Sequence, residues 1–248
     1  MEGEAHDLAF FDVMESHRVR TWVRVMKLLP SDPRCAVCRA PFGGFGGRLV
    51  RPMGFAPSRK NPRLCSECFD KVPVGGVEMD VGVLFADVRG YTALAEGRRP
   101  DEVAALLNPF YEAAVDVICR RAILDKFVGD QVMGLYIPRL FGGTGDDVGA
   151  QMVADAREIL QKAGPSIDIG IGLDYGNAHV GNVGAGEVKD FTAIGDVVNT
   201  AARLQAAAAA GEIVASRRVG GADEPGAVQR TFDLKGKAEP EPALVITP

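Results

Sequence analysis

From His6 to Leu29 apolar residues recur at Leu8, Phe11, Met14, Trp22, Val25, Met26 and Leu29, near a helical period, and Pro30 ends the run. The spacing predicts an amphipathic helix or helix pair over residues 1–30. Periodicity then fails: GGFGG at 43–47 and PSRKNP at 57–62 predict loops, with too little apolar surface to fold unaided. Long apolar segments return after Val72–Gly76, which marks a domain boundary. They predict a strand over VEMDVGVLFADV, a helix from Pro100 to Arg121 kinked at Pro109, and strands ILDKFV and QVMGLYI either side of a Gly129-Asp130 turn. A helix follows over Asp147–Ala163, with Val148, Met152, Ala156, Ile159 and Leu160 on one stripe. Next come IDIGIGLDY and AHVGNVG, joined by a turn at Gly176-Asn177, then FTAIG, a helix from Asp196 to Ala210 closed by Gly211, EIVAS, and a last pair FDLKGK and ALVIT.

Hairpins interrupt the crossovers, so the order describes an α+β sandwich with helices on one face rather than a doubly wound parallel sheet. The expected organisation is a helix over 1–30, a cysteine-bearing module over 31–72 and a main domain over 77–248. At 248 residues the chain suits one full domain with a small appendage, and its 47% hydrophobic content leaves ample material for a core. The sequence has no apolar run long enough to cross a bilayer, and its opening MEGEAHD lacks a basic signal-peptide start, so a cytoplasmic location is expected. Charge is split: His17–Lys71 carries 12 basic and 3 acidic residues, Val72–Pro248 carries 16 and 25. A basic front segment permits contact with nucleic acid or an anionic membrane, and equally docking on its own acidic neighbour.

Four of five cysteines form two Cys-x-x-Cys pairs, Cys35/Cys38 and Cys65/Cys68, separated by 26 residues. Two such knuckles suit a tetrahedral zinc site that stabilises a segment lacking a core, with an iron–sulfur cluster or redox dithiols as alternatives. Cys119, beside Val115 and Ile118 on a helix, reads as core, and His6, His17 and His179 have no ligand spacing.

In the main domain the strand LFADVRGYT delivers Asp87 to an exposed end, where it can hold a hard cation. The following turn offers backbone N–H groups of Arg89, Gly90, Tyr91 and Thr92 to phosphate. KFVGDQVMG reads as a hairpin with Asp130 at its tip, and an adjacent strand would bring the two acids together to clamp two Mg²⁺ ions. Asn199 and Arg203 are four residues apart and share a helical face, where an amide and a guanidinium can hold a ribose and a phosphate.

In their order and spacing FADVRGYT, DKFVGDQVMGLY, IGIGLDYGNAHVGNVG, DFTAIGDVVNTAARL and LKGKAEP resemble the class III nucleotidyl cyclase catalytic domain, from Val77 to the end. The resemblance implies a ferredoxin-like cyclase sandwich carrying a small helical, zinc-ribbon-like four-cysteine module in front. It implies two Mg²⁺ or Mn²⁺ ions on Asp87, Asp130 and the Val88 carbonyl, Lys126 and Thr192 at the adenine, Asn199 orienting the ribose and Arg203 meeting the transition state. Thr192 stands where the best-known membrane cyclases have aspartate, in a subgroup that uses ATP and often responds to bicarbonate. Guanylyl cyclases resemble the pattern with other base-reading residues, so Lys126 favours ATP. The implied reaction is adenylate cyclase activity, ATP to cyclic AMP and pyrophosphate, in a homodimer with two shared sites. The rival expectations are a guanylate cyclase, and a catalytically silent nucleotide-sensing or pairing domain whose metal knuckle binds nucleic acid or protein. The basic front module is expected to regulate dimerisation.

Overall fold

The alternation of apolar and polar positions in the main segment builds one mixed sheet. The computed structural model describes residues 17–58, 62–70, 75–141, 144–165, 167–185, 188–220, 224 and 226–247. Three short helices come first, α1 (His17–Leu28), α2 (Gly44–Val50) and α3 (Ser66–Asp70). Then follow β1 (Gly75–Val88), α4 (Tyr91–Ala95), α5 (Pro100–Arg121), β2 (Ile123–Val128), β3 (Gln131–Tyr136), α6 (Pro138–Phe141) and α7 (Gly145–Ala163). The chain continues through β4 (Ile169–Ala185), β5 (Val188–Ile194), α8 (Asp196–Ala207), β6 (Ile213–Ser216), β7 (Ala227–Phe232) and β8 (Glu241–Ile246). Two compact units result: residues up to Met79 with Ala178–Ile194, and Asp80–Asn177 with Gly195 onward.

In the second unit the strands lie in the order β2-β3-β1-β4-β6-β8-β7. β4 and β6 run parallel, whereas β1–β3, β2–β3, β6–β8 and β7–β8 are antiparallel. Leu84, Ala86, Val132, Ile171, Leu173, Ile213 and Ile246 point to one face and close over Phe110, Val117, Ile118, Met152 and Ile159 of α5 and α7. Apolar burial on this scale is the main stabilising term of the fold. Thr144 caps α7 in a reciprocal box with Asp147, which satisfies backbone N–H groups at the helix start. Cys119 is buried in this core, as the sequence predicts.

The expected α+β class stands, but the helices are not all on one face. Strand neighbours alternate sides, so Val214, Ala243 and Val245 form a second cluster on the reverse, covered by Leu204 and Ala208. The backbone of α8 comes so close to β4 that a Cβ on Gly172 would sit 2.2 Å from the Gln205 nitrogen and 2.3 Å from the Ala201 carbonyl oxygen. Only glycine fits there.

Three local expectations are corrected. Gly176-Asn177 makes no turn: neither residue has the positive φ that a tight hairpin needs, and β4 runs through them as one strand. The reversal falls where Ala185 opposes Val188. α8 ends at Ala207, not Ala210, despite five alanines, because tertiary bonds outcompete helix propensity. The Gln205 and Ala208 carbonyls accept from Arg89 at 3.3 and 3.4 Å, and the Glu212 carboxylate accepts from the Ala209 N–H at 3.0 Å. The last hairpin starts earlier than FDLKGK, at Ala227, since Val228–Thr231 form an exposed strand without an apolar face. Pro109 lies inside α5 on its exposed side, and the helix continues past it.

In the first unit, Leu8, Phe11 and Met14 lie outside the described residues, as does His6. Within α1, Met26 is buried whereas Val25 is exposed, so the expected apolar stripe narrows. The Arg34 guanidinium donates to the Met26 and Leu29 carbonyls at the helix end, where orphan acceptors favour a cation. β4 and β5 form a hairpin with Thr192 opposite Gly181.

Candidate active site

The antiparallel register of β1 and β3 sets Asp87 opposite Gln131, one residue beyond the Gly129-Asp130 turn. Gly129 adopts a φ of 60° there, a left-handed conformation that glycine enters without penalty. The Asp130 carbonyl accepts from the Val88 N–H at 3.3 Å, and the Tyr111 hydroxyl of α5 donates to the Gly129 carbonyl. The Tyr111 ring meets Phe127 edge to face at 4.9 Å between centroids, so the hairpin tip rests on α5.

Asp87, Val88, Arg89, Gly90, Tyr91, Thr92, Ala93 and Asp130 line one cleft of about 450 Å³. Burial above all, and then the charge of Asp130, push the Asp87 carboxyl above its ordinary value, while Arg89 and Gln205 oppose the shift. Two acidic residues in one cleft, with Val88 beside them, offer hard oxygen donors of the kind Mg²⁺ and Mn²⁺ take. The residues fit such ions.

Arg89 holds a different place from the one the sequence suggests. Its N–H donates to the Asp168 carbonyl at 2.7 Å and its guanidinium bonds Asp87 and the end of α8. The offer of N–H groups therefore narrows to Gly90, Tyr91 and Thr92 at the start of α4, where helical N–H groups have no partner within the helix.

Asn199 and Arg203 share the outer face of α8, with Asn199 exposed and Arg203 half-buried. A Cβ on Gly236 would stand 3.3 Å from Arg203 Nη2, so the turn before β8 lies against the guanidinium. Lys126 is on β2, half-buried, 3.3 Å from the Asp125 carboxylate, at a bulge between Leu124 and Lys126. None of Lys126, Asn199 and Arg203 lines the Asp87–Asp130 cleft.

Sequence reasoning missed Gln205 and Gln131. Gln205 is 3% exposed and accepts at Oε1 from Gln131 Nε2 at 3.1 Å. The available signal is a polar residue in the inner stripe of α8 formed by Val197, Ala201 and Leu204.

A family model described as "Adenylate and Guanylate cyclase catalytic domain" matches residues 77–239. The chain belongs to that family. An uncharacterized protein of Mycobacterium tuberculosis, Rv1320c, is 35% identical over 162 residues, which cover 64% of this chain and 27% of the relative. The chain thus spans about a quarter of the length of the curated relatives it matches. Among solved structures, the adenylyl cyclase CyaB from P. aeruginosa superposes with a TM-score of 0.62 at 26% identity, over 69% of this chain and 95% of that one. The guanylyl cyclase Cya2 superposes with a TM-score of 0.59 at 27% identity, over 70% and 94%. Similar structures of both kinds, an adenylyl and a guanylyl cyclase, leave the base unassigned.

The four-cysteine cluster lies in the first unit. The Sγ atoms of Cys35, Cys38, Cys65 and Cys68 are all within 4.8 Å of one another, and Cys68 alone of the four is not fully buried. The Cys65 N–H donates to Cys35 Sγ at 3.4 Å and the Cys68 N–H to Cys65 Sγ at 3.3 Å, bonds that favour thiolates. Hydrogen bonds with Cys38, Cys65 and Cys68 pull the Cys35 thiol down, and hydrogen bonds with Cys35 and Cys38 push Cys65 and Cys68 up. Such crowding of sulfur is relieved by a cation, and the donor set fits a tetrahedral one. Among the described residues, no helix is long and apolar enough to cross a membrane.

Proposed function

We propose that the domain over residues 77–248 is an adenylate cyclase that closes ATP to 3′,5′-cyclic AMP and expels pyrophosphate at the interface of a homodimer. The observation that carries this reading is the cleft where Asp87 and Asp130 meet the Gly90–Thr92 turn, with Lys126, Asn199 and Arg203 absent from its walls. A second copy would supply them.

Bound there, two Mg²⁺ or Mn²⁺ ions would acidify the ribose 3′-hydroxyl and neutralise the triphosphate. Asp87, Asp130 and the Val88 carbonyl would hold them, and the N–H groups of Gly90, Tyr91 and Thr92 would receive the phosphates. The partner's α8 would bring Asn199 to the ribose. Its Arg203 would meet the charge that grows as the 3′-oxygen bonds to the α-phosphorus and the bond to the bridging oxygen breaks. Lys126 would donate to adenine N1, which guanine, protonated at N1, does not accept, and Thr192 is the second candidate for reading the base. Residues 31–72 would hold one structural zinc on the four cysteines, and the module would tune dimerisation.

The test incubates purified protein with ATP or GTP and Mg²⁺ or Mn²⁺. Cyclic AMP from a dimer is expected. Cyclic GMP in excess would move the assignment to a guanylate cyclase, and no cyclic product with either base would leave a silent nucleotide-binding domain. Mixing inactive Asp87→Ala and Arg203→Ala chains should restore activity, because in the mixed dimer both lesions fall in one composite site and the other site is intact.

A further inference from the structure

Gln205 is a buried amide in the third turn of α8, a position where an apolar residue would complete the inner stripe. Its backbone has no freedom. The Gln205 nitrogen is pressed against Gly172 of β4, and its carbonyl accepts from Arg89 Nη1 at 3.3 Å. Its side chain is oriented too, because Gln131 Nε2 donates to Oε1 at 3.1 Å. That bond commits the oxygen and turns the amide nitrogen the other way. Nε2 is buried and bonds no other protein atom among the described residues. A buried donor without an acceptor is uncommon and calls for an account. The anionic group on this side is Asp87: Gln131, which bonds Gln205, is Asp87's cross-strand partner in the β1–β3 ladder, so their side chains share a face. Arg89 joins the two residues, its guanidinium donating both to Asp87 and to the Gln205 carbonyl.

We propose that Gln205 is a positioning residue for the metal-ligating carboxylate of Asp87 on its own chain, its amide N–H₂ aimed by Gln131 so that Gln205 and Arg89 together fix how Asp87 faces Asp130. This rests on the metal-site reading above. It gives α8 two sides with two allegiances. The outer face offers Asn199 and Arg203 to the partner's site, and the inner face steadies the cation end of its own.

The experiment follows Mn²⁺ binding by electron paramagnetic resonance on full-length dimer in the presence of α,β-methylene-ATP, a nucleotide that cannot be cyclised. Gln205→Met keeps length and volume and deletes the donor. It should weaken Mn²⁺ binding on the order of tenfold, the usual cost of losing a partner behind a metal ligand, with nucleotide affinity at saturating Mn²⁺ retained. Gln131→Met, which leaves Gln205 in place but unaimed, should weaken binding in the same direction by less, and it carries the test if Gln205→Met does not fold. Mn²⁺ affinity equal to wild type in both folded variants overturns the proposal. Asp87→Ala binding Mn²⁺ like wild type would instead overturn the metal-site reading itself. Mixed dimers with one competent site separate positioning from mere support of α8. The activity loss from Gln205→Met should be large on the chain that keeps Asp87, and several-fold smaller on the chain that keeps Arg203. The reverse order would show that Gln205 serves Arg203 and would refute the assignment.

Discussion

The oxygen cleft of Asp87 and Asp130 and the sulfur cluster of the four cysteines are both built to hold cations, yet they are made in opposite ways. The cleft is open and stands at strand ends backed by a core that includes Ala86 and Val88 at 0% and 2% exposure. The cluster is closed, with three of four ligands buried, in a segment held by short turns and two isolated bridges. An ion in the first has positions left for a substrate; an ion in the second has none. The cleft keeps its shape through the sheet, whereas the knuckles rest on short turns and backbone bonds that a bound ion would tie together.

The largest effect should therefore come from Cys65→Ser or a strong chelator. Either should remove one zinc per chain and abolish hydrogen-exchange protection in residues 31–70, since structural zinc contributes about 10 kcal/mol or more in comparable small modules. Elemental analysis and exchange mass spectrometry check this, and a module that stays protected without metal would erase the contrast. Asp87→Ala should do the converse: a loss of cyclase activity on the order of a thousandfold, about 4 kcal/mol of transition-state stabilisation, with the melting temperature little changed. Gly172→Ala is intermediate, because the added methyl would force α8 off β4. A cost of about 1–3 kcal/mol is expected, read by denaturant unfolding, with lowered activity because Gln205 and Arg203 move together.

The smallest effect concerns the surface. Lys162 and Arg120 hold the Asp116 and Glu158 carboxyls below their ordinary values. Depressed carboxylates stabilise the fold above their unfolded pKa and lose that contribution as pH falls through the lowered one. Lys162→Met should thus cause a slight loss of thermal stability at neutral pH that vanishes on strong acidification, and salt should mute it. A loss that persists in acid would point to packing of the lysine stem instead.

Much of the fold is legible in residue order. The apolar run into Asp87, the Gly129-Asp130 turn and the stripe of α7 each follow from a period or a turn signal in neighbouring residues. Errors came where distant contacts overrule local preference. Five alanines favour more helix than α8 has, but Arg89 and Glu212 claim the backbone groups that would extend it. Gly176-Asn177 looks like a turn, yet the flanking strand pairings keep it extended. The meeting of Asp87 and Asp130 in one cleft, and the shared helix face of Asn199 and Arg203, can be read from spacing, because turns and helix periods are local. Gln205 cannot, because a glutamine in an amphipathic helix has no meaning until its neighbours across the sheet are known.

Residue order alone thus offers the candidates for holding cations and phosphates, and the α+β alternation that carries them, because strand and helix periods are local. Which groups meet is another matter. That Asp87 opposes Gln131, that α8 crosses to the reverse face and sets Gln205 against Gln131, and that Arg89 turns inward all depend on register and on the closeness that Gly172 allows. Those are properties of packing between segments far apart in the chain, where burial and hydrogen bonding outweigh any preference a short stretch can express.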